Sequence, residues 1–544
     1  MIYSPYYLIL IFLLWLIHYE QSILFYAYFW QLKEYRWDRI GEEIKRNRKI
    51  WFSKKSAIIS LSTLFVLLLK PHWLGFLFFA FVLSIIDLRF ISSLFRKTIV
   101  KPKFTNKMLL ILGMSNLVLI GAFGGFCYIF FTQGNFIPSK QILLISILGL
   151  EILCFFFVGT IVEIVQVPAS IIKRKIILRA KKKRHNFKNL TVIGITGSYG
   201  KTSTKDFLFS ILSHKYGKDK VLKTKENTNT RMGIAYTILN ELNSQHLFFI
   251  CEIGAYRPKE IQKSCQIIEP KIGILTGINE QHLALFGSLK NIIQGKYELI
   301  EALSPVDGIA IFNGANQNVY QLYKQTQKIK KFYTSISSED KKADLRANDI
   351  QENKENIKFN IEDKKGEAID IELHSIGEGN IENFLLASLT AQQLGINLRT
   401  IKEATSFFSV KNPKIITKDG ITFLLSTYSA NPTGVLSDIK HLRHWEGKKI
   451  IIMPCLIELG EASKKVHHQI GKAIAEIADL AIITKKECFS NVITGSKGTK
   501  LSKAKICFLE NPKEIKKEID AFVKIGDVIL LEGRLSKSII EQLL

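Results

Sequence analysis

Residues 194–204 read GITGSYGKTST, and the types and spacing in this run suit the binding of phosphate. Gly197 and Gly200 permit backbone conformations and a closeness of approach that a side chain would block. Consecutive N–H groups and a following helix N-terminus can therefore cradle phosphate oxygens. Lys201 would neutralise the β- and γ-phosphates, and the Thr202 hydroxyl would reach Mg2+. Ser198 and Ser203, in the same run, belong with the nucleotide-binding set. The spacing departs from the strict G-x-x-x-x-G-K-[ST] pattern, because Gly194 comes one residue early and leaves G-x-x-G-x-x-G-K-T.

Such a loop needs a strand before it and a helix after it. Residues 190–196 (LTVIGIT) have β-branched alternation, and KDFLFSILSHKYG after the loop is apolar at helical spacing. From about residue 412, short apolar runs (ITFLLST, KKIIIMP, DLAIIT, AKICFL, DVILL) alternate with helical patterns, the rhythm of a second α/β domain.

The 544 residues exceed what one core usually holds. The apolar fraction of 47% is uneven, with its long runs before residue 170. Residues 108–132 and 141–165 are long enough to cross a bilayer, whereas 57–87 is interrupted by Lys70, Pro71 and His72, and 5–31 by Glu20 and Gln21. The stretches 32–56, 88–107 and 171–188 are rich in Lys and Arg, while 133–140 holds a single Lys, which places the first three on the cytoplasmic side. The N-terminus has no basic region or small-residue cleavage site, so its first segment is expected to stay. Glu151 and Glu163, in or near the last span, read as protonated or paired interior carboxyls.

The net charge of +27 lies largely in basic runs beside apolar segments, and no nucleic-acid recognition motif accompanies it. Nucleic acid is therefore excluded as a partner. The seven cysteines, Cys127, Cys154, Cys251, Cys265, Cys455, Cys488 and Cys507, have no C-x-x-C or metal-type spacing and read as buried or free thiols in a reducing compartment.

Several blocks in order resemble the Mur ligase family. GITGSYGKTSTK resembles its phosphate loop. KENTNTRMGIAYTIL (225–239) resembles its asparagine-rich loop, with Asn227 and Asn229 matching and Ala235 replacing a usual proline. FFICEIGA (248–255) resembles the strand that ends in a metal-binding acid, here Glu252. TGINEQHLALFGSLKNIIQGKYELI (276–300) is closest to the branch that adds D-alanyl-D-alanine to the muramoyl tripeptide, and supplies His282 and Lys296. By resemblance His282 binds a second Mg2+, and Lys296 is a candidate for carbamylation, which needs the neutral amine that burial favours. Alone, Glu252 would read as a turn acid, His282 as a core histidine and Lys296 as a surface charge; their order behind a phosphate loop gives them the functional reading.

GEGNIENFLLASLTAQQLG (377–395) keeps Asn380 and Asn383, the latter an adenine contact by resemblance, with Gly379 replacing a histidine. YSANPTGVLSDIKHL (428–442) and LIELGEASKKVHHQIG (456–471) match at Asn431, Pro432 and His467. The departures are Leu425 and Ser426 for paired aspartates, Lys414 for a linker arginine that contacts nucleotide, and Glu532, Gly533 and Arg534 for a lysine-glycine-serine. No UDP-binding domain precedes Thr191.

The expected architecture is thus multi-domain: an N-terminal α-helical transmembrane bundle (1–170), a basic cytoplasmic linker (171–189), an α/β P-loop ATPase domain (190–411) and a C-terminal α/β Rossmann-like domain (412–544). It implies a multi-pass plasma-membrane protein with its ligase domains in the cytoplasm and the lipid bilayer as a partner. The resemblance implies an ATP- and Mg2+-dependent amide-forming ligase. Lys201, His282 and Lys296 would be catalytic, and Thr202, Glu252, His282 and Lys296 would face metal. The acceptor would be a soluble or lipid-linked cell-wall precursor, and the amine an amino acid or dipeptide such as D-alanyl-D-alanine. A carboxylate must first accept the γ-phosphoryl group, becoming an acyl phosphate that the amine attacks. A ligase for another envelope polymer such as polyglutamate, a non-catalytic membrane scaffold and a transporter powered by the phosphate loop remain open alternatives.

Overall fold

The short apolar runs after residue 190 become strands buried on both faces, as parallel strands require. The computed structural model describes residues 6–46, 54–68, 72–95, 101–132, 136–226, 228–408, 414–427, 431–497 and 504–544. It comprises two units, Met1–Arg174 and Lys175–Leu544.

In the second unit the strands are β1 (Thr191–Thr196), β2 (Val221–Lys223), β3 (Phe248–Glu252), β4 (Ile272–Leu275), β5 (Ile309–Asn313), β6 (Lys330–Ser335), β7 (Leu345–Glu352), β8 (Ile357–Asp363) and β9 (Ala368–Leu373). Among the described residues they form one nine-stranded sheet in the order β2-β3-β1-β4-β5-β6-β7-β8-β9. Pairing is parallel from β2 to β7 and antiparallel through β8 and β9. Helices Lys201–Tyr216 and Glu378–Gln393 cover one face through Phe207, Ile211, Ile381 and Phe384. Helices Arg231–Glu241, Glu260–Ile268 and Leu289–Glu301 cover the other through Ile234, Ile261 and Leu299. Because β1 lies between β3 and β4, its C-terminal end opens at a switch point, where α/β sheets bind ligands. The antiparallel extension β7–β9 has no counterpart in the sequence reading.

The second sheet holds β10 (Lys414–Lys418), β11 (Ile421–Ser426), β12 (Lys449–Met453), β13 (Leu480–Ile483), β14 (Lys505–Phe508) and β15 (Val528–Glu532), in the order β10-β11-β15-β12-β13-β14. All its pairings are parallel except β10 with β11, and helices again cover both faces. The expected second α/β domain is present.

The basic residues 171–185 form the end of helix Phe136–His185. In the second unit Arg184 is 7% exposed, its guanidinium donating to the carbonyls of Ile268 at 2.6 Å and Glu269 at 3.1 Å. Those carbonyls end helix Glu260–Ile268, where a cation is favoured.

The first unit corrects the expectation of a transmembrane bundle. Among its described residues one helical stretch, running into the second unit as Leu153–His185, is long and apolar enough to cross a membrane, and Asn106–Gly121 is apolar but shorter. Helix Lys54–Leu68 has 15 residues, which reach about 22 Å against the roughly 30 Å required. Many apolar side chains counted toward lipid are instead used in helix packing, with Trp15, Tyr19, Trp30, Phe79 and Phe155 in one core. His18 and Asp87 are buried among these helices. The multi-pass plasma-membrane location and the bilayer as partner rested on that bundle and are withdrawn with it. Glu163 is paired, accepting from Trp37 Nε1 at 2.8 Å. Lys70, Pro71 and the side chains of His72, Cys127 and Glu151 lie outside the described residues.

A second correction concerns the cysteines. Cys455 and Cys488 are bonded to each other across 33 residues of sequence, because the helix beginning at Lys486 returns beside the end of β12. Cys251, Cys265 and Cys507 are free thiols.

Phe384 is fully buried and meets the rings of Phe207, Phe359 and Phe408. Phe384→Ala should lower the unfolding free energy by about 3–5 kcal/mol, read as a fall in denaturant midpoint.

Candidate active site

After Thr196 the chain turns through Gly197–Gly200 into helix Lys201–Tyr216. Gly200 has φ 79°, and a Cβ there would lie 2.2 Å from Asn383 Oδ1, so both backbone and space demand glycine. Asn383 is thereby wedged under the loop, where Thr204 Oγ1 also donates to its Oδ1 at 3.3 Å. On the other side Tyr199 fills the notch left by Gly277, whose Cβ would lie 2.2 Å from the ring. Lys201 Nζ donates to the loop carbonyls of Gly197 at 2.8 Å and Ser198 at 3.1 Å. Burial pushes its pKa below the ordinary lysine value, with Glu252 opposing.

Glu252 ends β3, and the parallel register sets it beside Ile195, just before the loop. Its carboxylate is 4% exposed. Oε2 accepts from Thr202 Oγ1 at 2.9 Å and Lys205 Nζ at 3.3 Å, and Oε1 from Asn229 Nδ2 at 2.9 Å. Burial alone would raise its pKa, but Lys201, Lys205 and the Asn229 and Thr202 hydrogen bonds outweigh it and hold the carboxyl below its ordinary value. It is a carboxylate at neutral pH.

His282 is stacked edge-on against Tyr256, with ring centroids 4.8 Å apart, and its Nδ1 lies 2.5 Å from Glu458 Oε2 of the second sheet domain. Both residues have left-handed backbone, φ 65° and 64°, a conformation that costs non-glycine residues and collects at functional sites. Burial lowers the His282 pKa against the opposing effect of Glu458. Lys296 is 2% exposed with Nζ 3.5 Å from Ala255 O. Burial, helped by the charge of Lys201, brings its pKa down to about 7.

These groups surround a cleft of about 1330 Å3. Of the residues named from sequence, Ser198, Gly200, Lys201, Thr202, Ser203, Glu252 and His282 form its wall together with Asn229. Gly197 contributes its carbonyl to Lys201, while Lys296 and Asn383 lie behind the wall. Lys414 starts strand β10, exposed and away from the cleft. Asn227, Tyr428, Ser429 and Ala430 lie outside the described residues.

Four participants went unnamed in the sequence. Lys205, one helical turn beyond the loop, supplies the buried cation; Glu458 holds His282; Phe407 and Phe408 form an apolar wall. Arg534, noted only as a departure, faces the cleft from the second domain. Asn279 Nδ2 donates to Asn431 Oδ1 at 3.2 Å and Thr433 Oγ1 at 3.0 Å, joining the two sheets beside the loop. His467 is a satisfied structural residue, with Nδ1 donating to Ser463 O at 2.8 Å and Nε2 accepting from Leu456 N at 3.0 Å. The departures Ser426 and Glu532 meet each other: Ser426 Oγ donates to Asp438 Oδ2 at 2.6 Å, and burial raises the pKa of both Asp438 and its neighbour Glu532.

Fold and site together define a phosphate-loop α/β protein whose cleft is completed by a second Rossmann-like sheet. The Mur ligase middle domain matches residues 195–391, and the Mur ligase, glutamate ligase domain matches residues 414–535. UDP-N-acetylmuramoyl-tripeptide--D-alanyl-D-alanine ligase of Buchnera aphidicola subsp. Baizongia pistaciae is 36% identical over 292 residues, covering 53% of this chain and 61% of the relative. The ligase of the same name from Buchnera aphidicola subsp. Acyrthosiphon pisum is 30% identical over 339 residues, covering 61% of this chain and 73% of the relative. The crystal structure of MurF from Acinetobacter baumannii superposes with a TM-score of 0.61 at 25% identity, over 68% of this chain and 80% of that one. The chain belongs to the Mur ligase family.

Glu252→Ala would leave Lys205, 1% exposed, as an unpaired buried cation. It should cost about 3–5 kcal/mol of stability, measured by thermal or denaturant unfolding, whereas Glu252→Ala combined with Lys205→Met should recover most of that loss.

Proposed function

We propose that the chain is an ATP-dependent carboxylate–amine ligase that adds D-alanyl-D-alanine to the muramoyl peptide of a peptidoglycan precursor through an acyl phosphate. The observation that carries this reading is the ionised Glu252 fixed against Thr202 at the mouth of the phosphate loop, in a chain of this family. The Thr202 hydroxyl and Glu252 carboxylate oxygens lie 2.9 Å apart and form a hard oxygen set that fits Mg2+. When bound, Mg2+ would screen the repulsion between the two anions that must meet.

The chain's own residues do the rest. Backbone N–H groups of the Gly197–Gly200 turn and the N-terminus of helix Lys201–Tyr216 receive phosphate oxygens. Lys201 leaves the loop carbonyls to face the transferred phosphoryl group, and Arg534 brings a second cation from across the cleft. Phe407 and Phe408 offer an apolar surface for a nucleotide base. Asn383 acts through Gly200, by holding the turn in shape. Glu458 fixes the ring of His282, directing its other nitrogen to the cleft. Neutral Lys296 takes up CO2, releasing a proton, and becomes a carbamate, an anion able to face metal.

Incubating the full chain with ATP, Mg2+, UDP-muramoyl tripeptide and D-alanyl-D-alanine should release ADP and form the pentapeptide product, and Lys201→Ala should reduce turnover by at least about a hundredfold. Absence of ADP release with UDP-linked and with lipid-linked acceptor would overturn the assignment.

With a Lys296 pKa of about 7, the neutral amine fraction grows as pH rises through that value. A carbamate carbonyl signal from 13C-bicarbonate should therefore strengthen over the same interval and be missing in Lys296→Arg. A signal of equal size in that variant would assign it to another amine.

A further inference from the structure

Away from the cleft, Glu352 at the end of β7 meets His441 and His444, which lie three residues apart at the end of helix Pro432–His441 and the turn after it. His441 Nδ1 is 2.9 Å from Glu352 Oε1, His444 Nε2 is 3.6 Å from Glu352 Oε2, and one donor atom from each residue lies within 4.8 Å of the others. Tetrahedral zinc, with bonds of about 2.0–2.2 Å, sets its ligands roughly 3.3 Å apart. Small side-chain rotations would reach that spacing.

Three further details favour a metal over an ordinary ion pair. His441 Nε2 donates to the Lys354 carbonyl at 3.3 Å, the outer contact by which metal-binding histidines are oriented. Glu352 Oε1 accepts the Gly377 N–H at 2.6 Å, which fixes the carboxylate and leaves Oε2 turned to His444. The burial is also graded: His441 is 1% exposed, Glu352 21% and His444 30%, which leaves an open side for a water ligand and for entry.

We propose that Glu352, His441 and His444 form a zinc site that fastens the antiparallel extension of the first sheet to the second domain. Its donors are two imidazoles, one carboxylate and water, a set that suits Zn2+ better than Mg2+. The site is structural, because none of its residues lines the cleft. It does not depend on the proposed ligase activity.

The full chain, stripped with chelator and titrated with Zn2+, should bind one equivalent more than His444→Ala or Glu352→Gln, and zinc should raise the melting temperature of the wild type only. His444 is partly exposed, so its variant should keep the unliganded protein's circular dichroism even if Glu352→Gln does not. Zinc stoichiometry and melting shift unchanged in His444→Ala would overturn the proposal, as would no zinc binding at all. With the Cys455–Cys488 bond reduced, Co2+ separates this site from Cys455, His467 and Cys488, whose donor atoms also lie close together. A thiolate-to-cobalt charge-transfer band persisting in His444→Ala would place the metal at those cysteines and overturn the proposal. Cobalt bands without thiolate character, lost in that variant, are expected.

Discussion

A carboxylate buried at the end of a parallel strand is unstable unless each oxygen finds a donor, and Glu252 supplies the constraint around which the cleft is organised. Its two oxygens are held by Thr202 and Lys205 of one helix and by Asn229 of a separate loop. Its own N–H donates to Thr224 Oγ1 at 3.0 Å. The register of β1 on β3 brings these groups within reach, and the core on both faces of the sheet fixes that register. Moving β3 by one residue would turn the carboxylate to the opposite face, against apolar helices.

The cleft is shared between two sheets, and the joints between them are polar. Asn279 meets Asn431 and Thr433, His282 meets Glu458, and Glu352 meets His441. Interfaces of this kind hold orientation through directional contacts rather than a large apolar seam, and they allow domains to move relative to one another. Each of these three joints is a polar contact whose partners lie more than eighty residues apart.

The phosphate loop was legible because its function needs local residue types: glycine where a Cβ cannot fit, then lysine and threonine at the start of a helix. Glu252, His282 and Lys296 were legible only in combination, since each is an ordinary polar residue by itself. Lys205 and Glu458 carried no comparable signal. Their importance comes from what faces them. The N-terminal helices show the opposite failure, in which apolar length was visible but its use was not. Composition cannot distinguish a side chain directed at lipid from one packed against Trp30 or Phe155.

By itself the sequence determined the strand–loop–helix unit, the phosphate chemistry of Gly197–Thr202 and the presence of a second α/β domain, because backbone preference and apolar periodicity act over a few residues. Tertiary structure alone decided that Lys205 neutralises Glu252, that Glu458 fixes His282, that Lys414 lies outside the cleft, and that Cys455 and Cys488 meet. It also gathered Glu352, His441 and His444. These are matters of distance between chain segments, and burial makes them decisive: away from water a charged or polar group must be paired, and only the folded chain determines with which group.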